Sequence, residues 1–148
     1  MREILFRGKR EDNGEWVGGY LNQHRGDQIS DCCGNAVNGY DYYINDFTAK
    51  IDTGLYGVIY KIVPETAGQY TGLTDKNGIG IFEGDIIIFN RVRNLPSTKP
   101  RPLLVFWDER SSRFTTNAGS YAFLQKDMMV ECEVIGNIYD NPELLKGD

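Results

Sequence analysis

Apolar and polar positions along this chain change over in short bursts, and nowhere keep a helical spacing for long. Ile4-Leu5-Phe6 runs into Arg7-Gly8-Lys9-Arg10, breaks at Asp12-Asn13-Gly14 and resumes as Glu15-Trp16-Val17-Gly18-Gly19-Tyr20-Leu21. Asn-Gly between two β-prone runs predicts an N-terminal hairpin closed by a type I′ turn, whose central residues both need positive φ. Residues 22 to 39 are polar and glycine-rich and read as loop or irregular hairpin. Tyr40 to Ile44 reads as a strand, as does Val58 to Val63, which Pro64 ends because it has no ladder donor. Tyr70 and Leu73 lead into a turn at Asp75-Lys76-Asn77-Gly78. Ile79 and Ile81 then alternate with Gly80, and Glu83-Gly84-Asp85 turns the chain into the apolar strand Ile86-Ile87-Ile88-Phe89.

Pro96, Pro100, Pro102 and four basic residues make residues 90 to 102 a long exposed loop. A strand follows over Leu103 to Trp107, a polar turn over Asp108 to Arg113, and another strand from Phe114. Met128 to Ile135 reads as the last strand, with Val130, Cys132 and Val134 alternating against Glu131 and Glu133. Asn141 and Pro142 have the residue types of a helix cap and first position, which predicts a single terminal turn through Leu145. The expected architecture is all-β, with antiparallel strands curled into a small SH3-like barrel, in a single domain over residues 1–148.

Composition agrees with this reading. Seventeen glycines and nine tyrosines in 148 residues favour turns and strands. The net charge of −5 removes any global pull toward nucleic acid or an anionic membrane. No window nears the roughly 18 apolar residues of a membrane span. Charge returns too soon after Leu5 and Phe6 for a signal peptide, so a cytoplasmic location is expected. Cys32, Cys33 and Cys132 include no Cys-x-x-Cys pair, and with His24 as the single histidine they read as free thiols, without a metal or other cofactor.

Three stretches carry a family resemblance. They are Arg2 to Lys9 with Asn13 to Leu21, Val63 to Thr66 continuing through Gly68 to Ile87, and Glu133 to Leu145. On these residues the chain resembles the YopX-like family of proteins encoded by bacteriophages and prophages. The resemblance implies a β-rich domain with an accessory role in a phage and a bacterial cytoplasmic location, and it brings no catalytic residues. Residues 22–57 and 90–130 match none of the family's motifs, so 22–57 reads as a variable insert. Gly72, Gly78 and Gly84 are expected where turns demand conformational freedom.

The candidate chemistry is sparse. Glu83 and Asp85 pair two carboxylates at a tight turn, without a histidine, lysine or third acid beside them, and read as turn chemistry. Asp75 to Gly78 lacks the remaining ligands of a calcium loop and reads as a β-turn. No phosphate-binding loop, nucleophile triad or cysteine–histidine pair can be assembled, so no enzyme activity is expected. Arg91, Arg93, Lys99 and Arg101 fall in one stretch without an acid, followed by Arg110 and Arg113 and flanked by Phe89, Phe106 and Trp107. Such a set can bind single-stranded nucleic acid. Phe106 and Trp107 are chain neighbours, however, and must face opposite sides of their strand. Tyr40, Tyr42, Tyr43, Tyr56 and Tyr60 form a second aromatic-rich region suited to a homo-oligomer or a host-protein contact. The leading expectation is a non-enzymatic module binding a host or phage protein, with nucleic acid through residues 91–101 as the alternative.

Overall fold

A computed structural model describes residues 4–25, 29–30, 36–37, 40–46, 58–89, 100–118 and 124–146. Twelve strands lie among them, and every ladder is antiparallel. The helical content among the described residues is three short 3-10 turns. The chain divides into two compact units, the first over Ile4–Gln69 and the second built from Tyr70 onward.

In the first unit β1 (Phe6–Lys9) pairs with β2 (Trp16–Arg25), β2 with β5 (Tyr40–Asp46), and β5 with β6 (Val58–Ile62). A two-residue ladder, β3 (Ile29–Ser30) against β4 (Ala36–Val37), lies between β2 and β5 in sequence. Pro64 ends β6 and opens a 3-10 turn over Pro64–Thr66, where a missing N–H costs least. β7 (Gly68–Thr74) follows, and its first two residues pair with β1. Past the end of β1, Arg10 bridges Ile62, and the Val63 amide donates to the Lys9 carbonyl at 2.8 Å. Ile44 and Ile62 are fully buried, and Gly8 lies against Ile62.

Two expectations change here. β2 continues to Arg25, so residues 22–25 are regular strand rather than loop or irregular hairpin: each finds a partner in β5, from Asn22 opposite Tyr43 to Arg25 opposite Tyr40. The hairpin loop after β1 is not a type I′ turn. Only Gly14 takes positive φ, and the Gly14 amide donates to the Arg10 carbonyl across four residues. Asn13 stays at negative φ because its side chain has local work: its Oδ1 accepts from the Glu15 amide at 3.0 Å.

In the second unit the end of β7 pairs with β8 (Gly80–Phe82), and a four-stranded sheet runs in the order β11-β10-β9-β12. These strands are β9 (Asp85–Phe89), β10 (Leu103–Asp108), β11 (Arg113–Thr116) and β12 (Cys132–Asn137). Ile81, Ile87, Leu103, Val105, Met129 and Cys132 form the core, with Leu73, Phe89, Leu124, Met128 and Val134 packed around them. Gly78 and Gly84 take φ of 82° and 85° in their turns, whereas Gly72, at 85°, lies within β7 where its pairing with β8 is irregular rather than in a turn.

The last strand is shorter at its start than the alternation implies. Lys126–Glu131 is a 3-10 turn, so Met129 is buried while Val130 points to solvent. A helical turn brings Leu124, Met128 and Met129 onto the same core, which a strand could not do. The terminal turn over Pro142–Leu145 is present, but Asn141 does not cap it with its side chain. The Asn141 Oδ1 instead accepts from the Asn137 amide at 3.4 Å.

Candidate binding face

Arg91, Arg93 and Lys99 lie outside the described residues, as do Cys32, Cys33 and Tyr56. Arg101 is exposed just before β10. Arg110 and Arg113 follow the far end of that strand, roughly 20 Å away at the rise of a six-residue strand. Arg101 therefore stands apart from Arg110 and Arg113, at the opposite end of β10. Trp107 is half exposed and meets Phe114 edge-on, with ring centroids 5.0 Å apart.

The acidic turns are structural. Asp85 is 1% exposed, and its Oδ2 accepts from the Phe82 amide at 2.8 Å. Asp75 does more than close a turn. Its Oδ1 accepts from the Asn77 and Ile79 amides at 2.8 and 2.9 Å, and its Oδ2 accepts from Val134 of β12 at 3.1 Å. The Lys76 amide donates to the Cys132 carbonyl at 3.0 Å, and the Lys76 ammonium pairs with Glu133. This loop thus occupies the outer edge of β12 and closes it to further strand pairing. Burial raises the Asp75 pKa, but the amides of Val134, Ile79 and Asn77 outweigh it and hold the carboxyl below its ordinary value. Burial, then the nearby charges of Asp75, Asp85 and Glu133, push the Cys132 thiol up to about 12. Among the described residues no group of three or more His, Cys, Asp or Glu could hold a metal ion.

The strongest surface feature is on the first unit. Trp16 lies opposite Lys9 in the β1–β2 register, and Gly18 lies opposite Arg7. The Arg7 guanidinium sits 4.8 Å from the Trp16 ring centre, and the Lys9 ammonium 5.6 Å from it. By alternation along β2, Trp16, Gly18 and Tyr20 share this face. Tyr20 is opposite Asn45, which in turn is opposite Ile59 of β6, so the three form a row. Tyr20 is 42% exposed and Ile59 59%.

Gly18 leaves an exposed gap between Trp16 and Tyr20. A Cβ built there would touch only the Phe6 carbonyl oxygen, at 3.7 Å. Gly19 differs: its Cβ would stand 2.2 Å from the Asn45 carbonyl oxygen, so β2 can approach β5 only with glycine there. The sequence reading missed this face. Its signal was the alternation Trp16-x-Gly18-x-Tyr20 across a hairpin from Arg7 and Lys9. Of the tyrosines it did single out, Tyr60 lies under Arg10 at 4.3 Å, Tyr43 meets the exposed His24 edge-on, and the Tyr42 hydroxyl accepts from Gln23. Asp12 and Glu15 pair with Arg10, and Asp41 and Glu11 with Lys61.

A fold of two all-β units with a laddered N-terminal hairpin is the class defined by this geometry. The model of the YopX protein family matches residues 5–146, and the chain belongs to that family. Among solved structures it is similar to protein EF1440 from Enterococcus faecalis at 22% identity, over 98% of this chain and 99% of that one, with a TM-score of 0.57. That likeness concerns the fold. No curated protein matches the chain.

Proposed function

We propose that this chain is a non-enzymatic binding module, an accessory protein of a phage or prophage that engages a host or phage protein in the bacterial cytoplasm. The observation that carries this reading is the face built by Trp16, Tyr20 and Ile59 with Arg7 and Lys9. Trp, Tyr and Arg dominate the energetics of protein contacts, and exposed apolar area beside them is what a partner would bury. The order of elements supports an SH3-like reading of the first unit. Strands β1, β2, β5 and β6 are followed by a 3-10 turn, and β7 returns to β1.

The test is capture of partners by the tagged chain from phage-infected host lysate, with and without nuclease. A protein retained after nuclease, and lost when Tyr20 and Ile59 are both changed to Ser, is the expected result. Partners that vanish with nuclease would turn the reading toward nucleic acid and toward Arg91, Arg93, Lys99 and Arg101.

A further inference from the structure

The outer edge of β12 is closed by the Asp75 loop, but β6 ends the first unit's sheet with less cover. Arg10 bridges Ile62 at one end of it. The Glu11 amide donates to the Lys61 carbonyl at 3.0 Å, so residue 61 turns its backbone away from β5. Alternation gives Ile59 the same sense: it stands opposite Asn45, and its N–H and C=O point outward. Beyond Glu11 the chain leaves this edge through Asp12-Asn13-Gly14, and among the described residues no backbone group pairs with Ile59 on that side. An open groove of about 370 Å³ lies there, lined by Glu11, Asp12, Ile59, Tyr60 and Lys61. It offers the backbone groups and the room for one more strand.

Charge selects the strand. Lys61 is shared by Glu11 and Asp41, and Arg10 by Asp12 and Glu15, so four carboxylates stand on two cations. Each of these groups is paired; what the rim carries is a surplus of negative charge. A second copy of β6 would bring the same surplus against it, and like charges opposed across a ladder are unfavourable. Phosphates are disfavoured for the same reason. A segment with a lysine or arginine meets the surplus, and an apolar residue on it meets the exposed Ile59.

We propose that the outer edge of β6 receives an extended segment of the partner protein as an added antiparallel strand, with an apolar residue beside Ile59 and a nearby lysine or arginine facing Glu11 and Asp12. This rests on the binding-module reading above and goes further by naming what the partner presents and how it is held.

Ile59→Pro is the informative variant. Proline removes the outward N–H and blocks the approach of another strand, yet breaks no bond to β5, because that N–H points away from it. A library of random twelve-residue peptides displayed on particles is panned on the full chain. Enriched peptides are titrated by fluorescence anisotropy against wild type, Ile59→Pro, Tyr20→Ser and the double variant Glu11→Gln with Asp12→Asn. Circular dichroism melts establish that each is folded. Hydrogen exchange of the Ile59 amide, followed by NMR in the wild-type chain with and without peptide, reads strand addition directly and needs no variant. We expect enriched peptides to carry a lysine or arginine near an apolar residue and to slow exchange at Ile59. They should bind Ile59→Pro about tenfold more weakly, the loss of one or two hydrogen bonds. The charge variant should weaken them about threefold, and changing the peptide's cation to glutamine should remove that difference.

Peptides without a cation, equal affinity for Ile59→Pro, unchanged exchange at Ile59 or an empty selection would each overturn the proposal. An Ile59 amide already protected in the free chain, together with a dimer in sedimentation, would overturn it in favour of a second copy. Displacement of the peptide by an oligo-dT twelve-mer at equal concentration would overturn it in favour of nucleic acid. Peptides lost by Tyr20→Ser but kept by Ile59→Pro would sink the edge and leave the binding module standing on the Trp16 face. Failure of that module would show instead as a lysate capture retaining nothing that depends on Tyr20 and Ile59.

Discussion

Asp75 shows how one side chain can hold several elements. Its carboxylate accepts from three backbone amides, two in its own loop and one in β12. Asp75→Ala removes all three hydrogen bonds at once and should cost about 2–4 kcal/mol, at roughly 1 kcal/mol net per bond, read as a lowered urea midpoint. The pH dependence follows from the same geometry. The folded-state pKa lies below the unfolded value of roughly 3.9, so the stabilisation is complete above that value and is lost as pH falls through the folded pKa. The stability gap between wild type and Asp75→Asn should therefore be wide at pH 7 and shrink steadily below pH 4; a constant gap would refute this role. Cys132 offers a second check. With its thiol pushed up to about 12, its thiolate fraction at pH 8 is about one in ten thousand. Mass mapping after native alkylation at pH 8 should find Cys132 unmodified, and denaturation should expose it.

At the scale of elements, β2 sets two adjacent glycines to opposite tasks. Gly19→Ala drives a Cβ into the Asn45 backbone and should destabilise by about 2–3 kcal/mol. A Cβ at Gly18 meets nothing closer than 3.7 Å, and Gly18→Val exchanges a flexible, exposed strand residue for a β-favouring one, so it should add about 0.5–1 kcal/mol. Paired denaturant melts read both signs. The sequence could not distinguish these glycines, because what separates them is the approach of β5, some 25 residues further on. What it did carry was local: strands at Tyr40–Ile44 and Leu103–Trp107, the stop at Pro64, and the positive-φ glycines 72, 78 and 84. It misplaced Met128–Glu131 because a 3-10 turn on a core and a strand on a core both place an apolar residue at Met129, and only the exposure of Val130 separates them. The anchoring of Asp75 to Val134 spans 59 residues, and no pattern within a short window could report it.

For the molecule as a whole, the net charge of −5 and the cations of the β1–β2 face act in opposite directions on an acidic partner. Salt weakens the short-range pairing with Arg7 and Lys9, and it also screens the repulsion between two acidic bodies, whose reach is about 8 Å at physiological ionic strength. The two effects offset each other, so binding of an acidic protein at this face should depend only weakly on salt, with log K falling by less than about one per tenfold rise in concentration. Binding of a single-stranded nucleic acid through Arg91, Arg93, Lys99 and Arg101 would behave otherwise. Four phosphate contacts release counterions and give a slope near −3, at roughly 0.7 per contact. Titrating the captured partner between 50 and 500 mM salt therefore separates the two readings without knowledge of the partner's identity. A steep slope that flattens when those four cations are replaced by alanine would move the function to the basic segment. A shallow slope, with binding abolished when Tyr20 and Ile59 are both changed to Ser, would fix it on the β2 face.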